Sequence, residues 1–119
     1  MKPKKLSVSI IISVFEQLDY SKRCFSCLVD TLEGIIDYEI IVIDDGSGDK
    51  TKDYLKSLEY PFKVLFNTKR GSFAKNNNYG ASKANGEFLC FLNNDVFVQD
   101  DWLLPILDVF KKIKKVGFV

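Results

Sequence analysis

The chain has 119 residues, the size of one domain, and its 17 basic and 16 acidic residues give a formal net charge of +1. This balance argues against a surface that coats nucleic acid, because such surfaces carry a clear basic excess. The chain contains no histidine, which excludes a Ser/His/Asp or Cys/His catalytic unit and a histidine-containing zinc site. Any chemistry must therefore use carboxylates, amides, hydroxyls, lysines or a bound ion.

Short apolar runs rich in β-branched residues alternate with stretches in which apolar residues recur at helical spacing. In chain order, the pattern predicts a strand at 8–14, a helix at 18–32, a strand at 38–43, a helix at 51–58, a strand at 62–66, a helix at 72–85, a strand at 88–92 and a helix at 103–113. A further strand is predicted to begin at residue 116. Gly34 is predicted to end the first helix. The caps predicted for the second and fourth helices are Ser47 or Asp49 and Asp100 or Asp101.

The alternation of apolar strands with helices indicates a three-layer α/β fold, in which helices cover a Rossmann-like sheet of mainly parallel strands. The chain shows no internal repeat, low-complexity tract or linker, so we predict a single domain over residues 1–119. Because the chain stops inside a predicted strand, we expect these residues to be the N-terminal part of a larger domain. The apolar surface left uncovered is then expected to pair in a homodimer.

The three cysteines include a C-x-x-C pair, Cys24 and Cys27, which can be a redox pair or half of a zinc site. The pair lies well inside a predicted helix, and Cys90 lies in a predicted strand. Both cysteines of the pair are therefore interpreted as small residues that face the core, one helical turn apart. An odd number of thiols suits a reducing compartment, and no apolar run approaches the roughly 20 residues of a membrane-spanning helix. We therefore expect a cytoplasmic location.

Polar and aromatic residues follow every predicted strand, and in an open parallel sheet ligands bind beyond the carboxyl ends of the strands. In chain order these residues are Phe15 and Glu16, Asp44 and Asp45, Asn67 with Lys69 and Arg70, and Asn93 to Asp95. Each group also has a simpler interpretation, as turn-forming residues or solvated loop charges. The combination favours a binding site, because a carboxylate that ends an apolar strand loses hydration unless a cation or a donor compensates.

Three segments carry a resemblance to a known family: IIISVFEQ, EIIVIDDGSGDKT and NTKRGSFAKNNNYGASKANGEFLCFLNND. In this order and spacing they resemble the N-terminal half of family 2 glycosyltransferases. The resemblance implies the GT-A fold and transfer of a sugar, usually with inversion, from a nucleotide-diphosphate sugar donor to an acceptor hydroxyl. It implies a glycan or lipid-linked acceptor and no nucleic acid. Membrane association of the full-length protein is an open alternative.

The resemblance also implies roles for the residues that follow the first two strands. Phe15 matches the aromatic residue that stacks on the nucleotide base, and Glu16 is included with it in the predicted nucleotide-binding set. Asp44 matches the aspartate that reads the edge of the base, and Asp45 matches its neighbour near the ribose.

Further matches lie in the third helix and after the fourth strand. Asn78 and Gly80 match the family's helix motif beside the nucleotide. Asn93 replaces the first aspartate of the family's D-x-D region and is predicted to bind the nucleotide. Asp95 matches the carboxylate that holds Mn²⁺ or Mg²⁺ against the diphosphate. Such ions take one or two carboxylates and complete their coordination with phosphate oxygens and water.

The resemblance implies that the ion neutralises charge on the departing diphosphate while a carboxylate takes the proton of the acceptor hydroxyl. In the family this base lies in the second half of the domain, so we expect it beyond residue 119 and assign no catalytic residue. The 119 residues are expected to bind nucleotide without turnover. Two alternatives stay open: a non-catalytic α/β binding module and a receiver-like signalling domain.

Overall fold

The computed structural model describes residues 7–112, with side chains through residue 109. In chain order its elements are β1 (Ser7–Val14), α1 (Leu18–Leu32), β2 (Asp37–Asp44), α2 (Asp49–Lys56), β3 (Phe62–Phe66), α3 (Phe73–Ser82), β4 (Phe88–Asn93) and α4 (Leu104–Lys112). The predicted order of strands and helices is confirmed, and every strand boundary agrees to within one residue. The strand predicted from residue 116 lies outside the described residues.

The four strands form one parallel sheet in the order β3-β2-β1-β4. In its register Val14 lies beside Asp44, and Ser13 lies beside Asn93. The carboxyl ends of β1, β2 and β4 therefore meet at one edge, as expected from the sequence. The receiver-like alternative is wrong, because that flavodoxin-like order places β1 between β2 and β3, whereas here β3 pairs with β2.

Helices cover both faces of the sheet, which confirms the three-layer prediction. The β-branched strands are buried on both sides, as expected for the centre of a parallel sheet. One face, with Ile10 and Ile12, packs against α1, α2 and α4. The other face, with Ile11, Ile41 and Ile43, packs against α3.

The close approach of α3 to the sheet depends on Gly80. A Cβ atom at this position would lie 2.6 Å from Ile11 Cγ2 and 2.8 Å from Ile43 Cδ1. Both distances are shorter than van der Waals contact between carbon atoms, so a larger residue would push the helix away from the strands.

The predicted helix caps are wrong for α2 and α4. Gly48 occupies the N-cap position of α2, where no side chain of the helix's own segment caps it. The fourth helix begins only at Leu104, and Asp101 lies before it in a left-handed conformation with φ 60°. The indole of Trp102 donates a hydrogen bond of 3.0 Å to Thr31 on α1, which holds this segment against α1 ahead of the helix.

The cysteines are packing residues in the structure. Cys24 and Cys90 are buried, whereas Cys27 is only half-buried, so the prediction of two core-facing cysteines is correct for one of the pair. Burial raises the pKa of both the Cys24 and the Cys90 thiol to about 12. Both thiols are therefore protonated at neutral pH and poorly suited to nucleophilic or metal-binding roles.

No helix within residues 7–112 is long and apolar enough to span a bilayer.

We expect Gly80→Ala to destabilise the chain. The methyl group costs about 1–3 kcal/mol through overpacking, which exceeds the gain of about 1 kcal/mol in helix propensity. Urea unfolding should show a net loss on the order of 1 kcal/mol. The control is Ser82→Ala at an exposed position of α3, which should change stability little. An unchanged or increased stability of Gly80→Ala would contradict the close packing of α3.

Candidate functional site

A cavity of about 320 Å³ opens at the carboxyl edge of the sheet. Its lining residues come from the ends of β1, β2 and β4, from the β3–α3 loop and from α3: Ser13, Phe15, Gln17, Asp45, Arg70, Gly71, Phe73, Asn76, Asn93, Asn94 and Asp95. The strand order reverses between β1 and β4, which is the point where open α/β sheets bind ligands. A larger depression of about 460 Å³ lies at the opposite end, lined by the α1–β2 connection, the start of β2, Tyr60 ahead of β3 and the start of α4.

Asp45 connects the end of β2 to the loop that follows β3. Its Oδ1 accepts hydrogen bonds from the Gly71 amide (2.7 Å) and from Asn67 Nδ2 (3.1 Å), and its Oδ2 accepts one from Arg70 Nε (3.3 Å). Burial opposes ionisation, but these hydrogen bonds outweigh it and hold the pKa of Asp45 below its usual range. The carboxylate is therefore charged at neutral pH, and Oδ2 keeps acceptor capacity toward the cavity.

The guanidinium of Arg70 lies over the ring of Phe15. Its guanidinium carbon is 3.6 Å from the centroid of the Phe15 ring, while its Nε contacts Asp45. Phe15 remains 40% exposed. From the sequence Arg70 could be a solvated loop charge; in the structure its side chain is exposed but also lines the cavity, with its cation over the Phe15 ring.

Asp44 does not face the cavity. Its side chain is fully buried, its Oδ1 accepts a hydrogen bond of 3.3 Å from the Ser47 amide, and Lys52 Nζ lies 3.2 Å from Oδ2 without hydrogen-bond geometry. The carboxylate is enclosed beside Lys52, and the role of Asp44 in reading the base stays a prediction. Successive side chains of a strand point to opposite faces, so Asp45 faces the cavity instead.

Asn78 also lies away from the cavity, on the exposed side of α3. The asparagine of α3 that lines the cavity is Asn76, which is buried. Asn76 Nδ2 donates to Ser13 Oγ (2.9 Å), and Asn76 Oδ1 accepts from Asn67 Nδ2 (2.7 Å). Helical spacing is the signal that identifies it, because Asn76 lies four residues before Gly80 and therefore on the same, sheet-facing side of α3.

Glu16 adjoins Phe15 in sequence but does not line the cavity. Its amide donates to Ser47 Oγ (2.8 Å), and its Oε1 accepts from the Gly48 amide (3.0 Å). In this structure Glu16 contacts the β2–α2 loop, and its contact with a nucleotide stays a prediction.

Asn93 and Asp95 are exposed and line the cavity, as the sequence predicts. Between them Asn94 Nδ2 donates a hydrogen bond of 3.1 Å to Ser21 Oγ on α1, which fixes the turn. Within residues 7–112 no three acidic or sulfur side chains are grouped to hold a metal ion. One carboxylate with a nearby amide suits Mg²⁺ or Mn²⁺ only when phosphate oxygens supply further ligands.

Comparisons with known proteins identify the same family as the sequence motifs. The model of the family described as "Glycosyl transferase family 2" matches residues 9–119. The chain belongs to glycosyl transferase family 2. One relative is glycosyltransferase AglE of Haloferax volcanii, 27% identical over 100 residues, with 81% of this chain and 33% of AglE covered.

A second family 2 relative comes from Methanococcus voltae. It is a dolichyl N-acetyl-alpha-D-glucosaminyl phosphate 3-beta-D-2,3-diacetamido-2,3-dideoxy-beta-D-glucuronosyltransferase, 29% identical over 113 residues, with 91% of this chain and 35% of that protein covered. Among solved structures, S. aureus TarS 1–349 in complex with UDP matches with a TM-score of 0.77 and 21% identity over 90% of this chain and 32% of that chain. This likeness confirms the GT-A-type fold. The chain spans about a third of the length of these relatives.

We expect Asp45 to make stability depend on pH. Its pKa is lower in the folded chain than the value of about 3.9 for unfolded aspartate, so its contribution is fully present above about pH 4 and is lost as the pH falls through the folded pKa. Asp45→Asn should therefore reduce the unfolding free energy more at about pH 6 than at about pH 3, as measured by urea unfolding.

The control for this measurement is Asp53→Asn, which removes an exposed carboxylate of α2 and should change stability little. An Asp45→Asn effect of equal size at both pH values would contradict the assigned role of the charge.

Proposed function

We propose that this chain binds the nucleotide diphosphate of a sugar donor in the carboxyl-edge cavity. We further propose that the complete protein transfers the sugar to an acceptor hydroxyl with inversion and metal assistance. One observation supports this most strongly: the stacked pair of Arg70 and Phe15, the charged Asp45 and the exposed Asp95 line a single cavity of about 320 Å³. The UDP named in the TarS complex supports the nucleotide assignment.

The base is proposed to bind at Phe15. Aromatic rings and guanidinium planes both stack on nucleobases, and one such contact is worth roughly 1–3 kcal/mol. Arg70 already covers one face of the ring, so the base stacks on the remaining exposed ring surface or on the guanidinium. Asp45 Oδ2, which accepts a hydrogen bond of 3.3 Å from Arg70 Nε, then accepts another from a base N–H. Uracil, guanine and thymine each carry a protonated ring nitrogen that offers such a donor, whereas the corresponding ring nitrogens of cytosine and adenine are acceptors, so the proposed ligands are UDP, GDP or dTDP.

The diphosphate is proposed to lie toward the end of β4. Asp95, with Asn93 beside it, would hold Mn²⁺ or Mg²⁺, which when bound supplies Lewis-acid stabilisation of the departing diphosphate. Asp95 is exposed and lines the cavity, so it is free to meet a ligand that brings its own phosphate oxygens.

The acceptor is proposed to be a glycan or a lipid-linked sugar. The Methanococcus voltae relative carries a dolichyl phosphate in its printed name, which supports the second class. The catalytic base is assigned to no residue of this chain, and the cytoplasmic location and the homodimer remain predictions. A non-catalytic nucleotide-binding module is the second candidate, favoured by Asn93 where the family's D-x-D region begins with aspartate.

We expect UDP to bind with a dependence on Mn²⁺ that requires Asp95. In calorimetric titrations, Asp95→Asn should lower the affinity in Mn²⁺ on the order of tenfold and have little effect in chelator, because the variant loses the only carboxylate of the NND triplet. Phe15→Ala should lower the affinity under both conditions by roughly tenfold or more, since it removes the stacking surface.

Asp100→Asn is the matched control, because Asp100 is exposed, follows Asp95 in the same segment and does not line the cavity. Equal binding of UDP by the wild type in Mn²⁺ and in chelator would refute the metal role. Absence of binding at millimolar UDP, GDP and dTDP in Mn²⁺ would refute the proposed function.

A further inference from the structure

The backbone between β1 and α1 adopts an uncommon conformation. Glu16 has φ 53° and Gln17 has φ 55°, so two consecutive non-glycine residues lie in the left-handed region. Such residues are rare and persist only where surrounding contacts hold them. They follow Phe15 directly, so whatever holds them also sets the position of the Phe15 ring.

The contacts that hold this turn come from the β2–α2 loop, about 30 residues along the chain. The Glu16 amide donates to Ser47 Oγ, and the Gly48 amide donates to Glu16 Oε1, at 2.8 Å and 3.0 Å. We name this pair of hydrogen bonds the Glu16–Ser47 clasp. Gly48 is the N-cap residue of α2 and has no cap from its own segment. The Glu16 carboxylate therefore supplies, from another loop, the acceptor that a capping box takes from its own helix.

The Ser47 side of the clasp is rigid. Ser47 is buried, its amide donates to Asp44 Oδ1 at 3.3 Å, and its carbonyl oxygen accepts from Lys52 Nζ. The buried Asp44 carboxylate and the half-buried Lys52 ammonium therefore anchor the loop to which Glu16 is tied. This gives the buried Asp44 carboxylate a role that does not require contact with a ligand.

The clasp joins the two loops that carry the proposed base site. Phe15 precedes Glu16, and Asp45 precedes Ser47 by two residues. Arg70 spans them, with its guanidinium on the Phe15 ring and its Nε on Asp45. If the turn at Glu16 relaxes, the ring moves relative to Asp45 and the stacked arrangement is lost.

From these contacts we infer that Glu16 is a positioning residue: through the Glu16–Ser47 clasp it fixes the Phe15 ring against Arg70 and Asp45, and it sets nucleotide affinity without touching the nucleotide. This inference rests on the proposed function. It differs from the role expected from the sequence, in which Glu16 binds the nucleotide directly.

The test compares two amides that differ by one methylene. Glu16→Gln keeps an acceptor long enough to reach the Gly48 amide, whereas Glu16→Asn is too short to reach it but tolerates left-handed backbone. Titration with UDP and Mn²⁺ should show an affinity about tenfold lower for Glu16→Asn and within about twofold of wild type for Glu16→Gln. Asp19→Asn, an exposed carboxylate in the first turn of α1, is the control and should match wild type.

A double-mutant cycle separates positioning from direct contact. In a Phe15→Ala background, Glu16→Asn should cause no further loss, because the ring it positions is gone. Losses that multiply in the double variant would overturn the inference and favour direct binding by Glu16. An affinity of Glu16→Gln as low as that of Glu16→Asn would also overturn it, because the charge rather than the hydrogen bond would then matter.

The ring itself provides a readout without nucleotide. In the free protein, the aromatic NMR signals of Phe15 should shift in Glu16→Asn and in Ser47→Ala, which breaks the clasp from its other side, and should stay near wild type in Glu16→Gln. If the wild type binds no UDP, the proposed function fails, and these signals still decide whether Glu16 positions the ring. Unchanged Phe15 signals in folded Glu16→Asn and Ser47→Ala would overturn the inference.

Discussion

The Asp45 carboxylate is the contact on which the cavity most depends, because it joins the end of a buried strand to three residues of the loop that follows β3. Its oxygens accept from the Gly71 amide, from Asn67 and from Arg70. A carboxylate that accepts several hydrogen bonds remains charged although it is largely enclosed. That charge holds the guanidinium of Arg70 over the Phe15 ring. The buried Asp45 carboxylate therefore positions the cation and the ring that line the cavity, and is itself a hydrogen-bond acceptor there.

A second carboxylate of β2 acts at the opposite end of the same strand. Glu39 accepts from Ser9 Oγ (2.6 Å) and from the Asn85 amide (2.6 Å), and Lys63 Nζ lies 2.9 Å from it. The segment containing α3 is thus held at both ends by acidic residues: by Glu39 of β2 at the α3–β4 connection, and by Asp45, directly after β2, at the β3–α3 loop. The contact of Gly80 with the sheet lies between these two points, which explains how a small, polar helix packs closely with few large apolar side chains.

Asp44 and Asp45, the adjacent acidic residues at the end of β2, have different surroundings and different contacts. Asp44 is enclosed and lies beside Lys52, where it orders the β2–α2 loop. Asp45, one residue later, faces the cavity. Strand geometry requires this division, because neighbouring side chains point to opposite faces. The ion pair of buried Asp44 and half-buried Lys52 fixes the loop that carries Ser47 and Gly48, and through them the turn after Phe15.

The sequence by itself determined the order of the elements, the strand boundaries to within one residue and the family, because these depend on local hydrophobic periodicity and on short motifs such as DDGSGD. It also placed Phe15, Asp45, Asn93 and Asp95 at one edge, since parallel strands share their carboxyl ends. Tertiary structure alone decided that Arg70 reaches Phe15 and Asp45, that Asn76 bonds to Ser13, and that Glu16 contacts a distant loop. These outcomes depend on contacts between residues about 25 to 65 positions apart, and local sequence patterns do not encode such contacts.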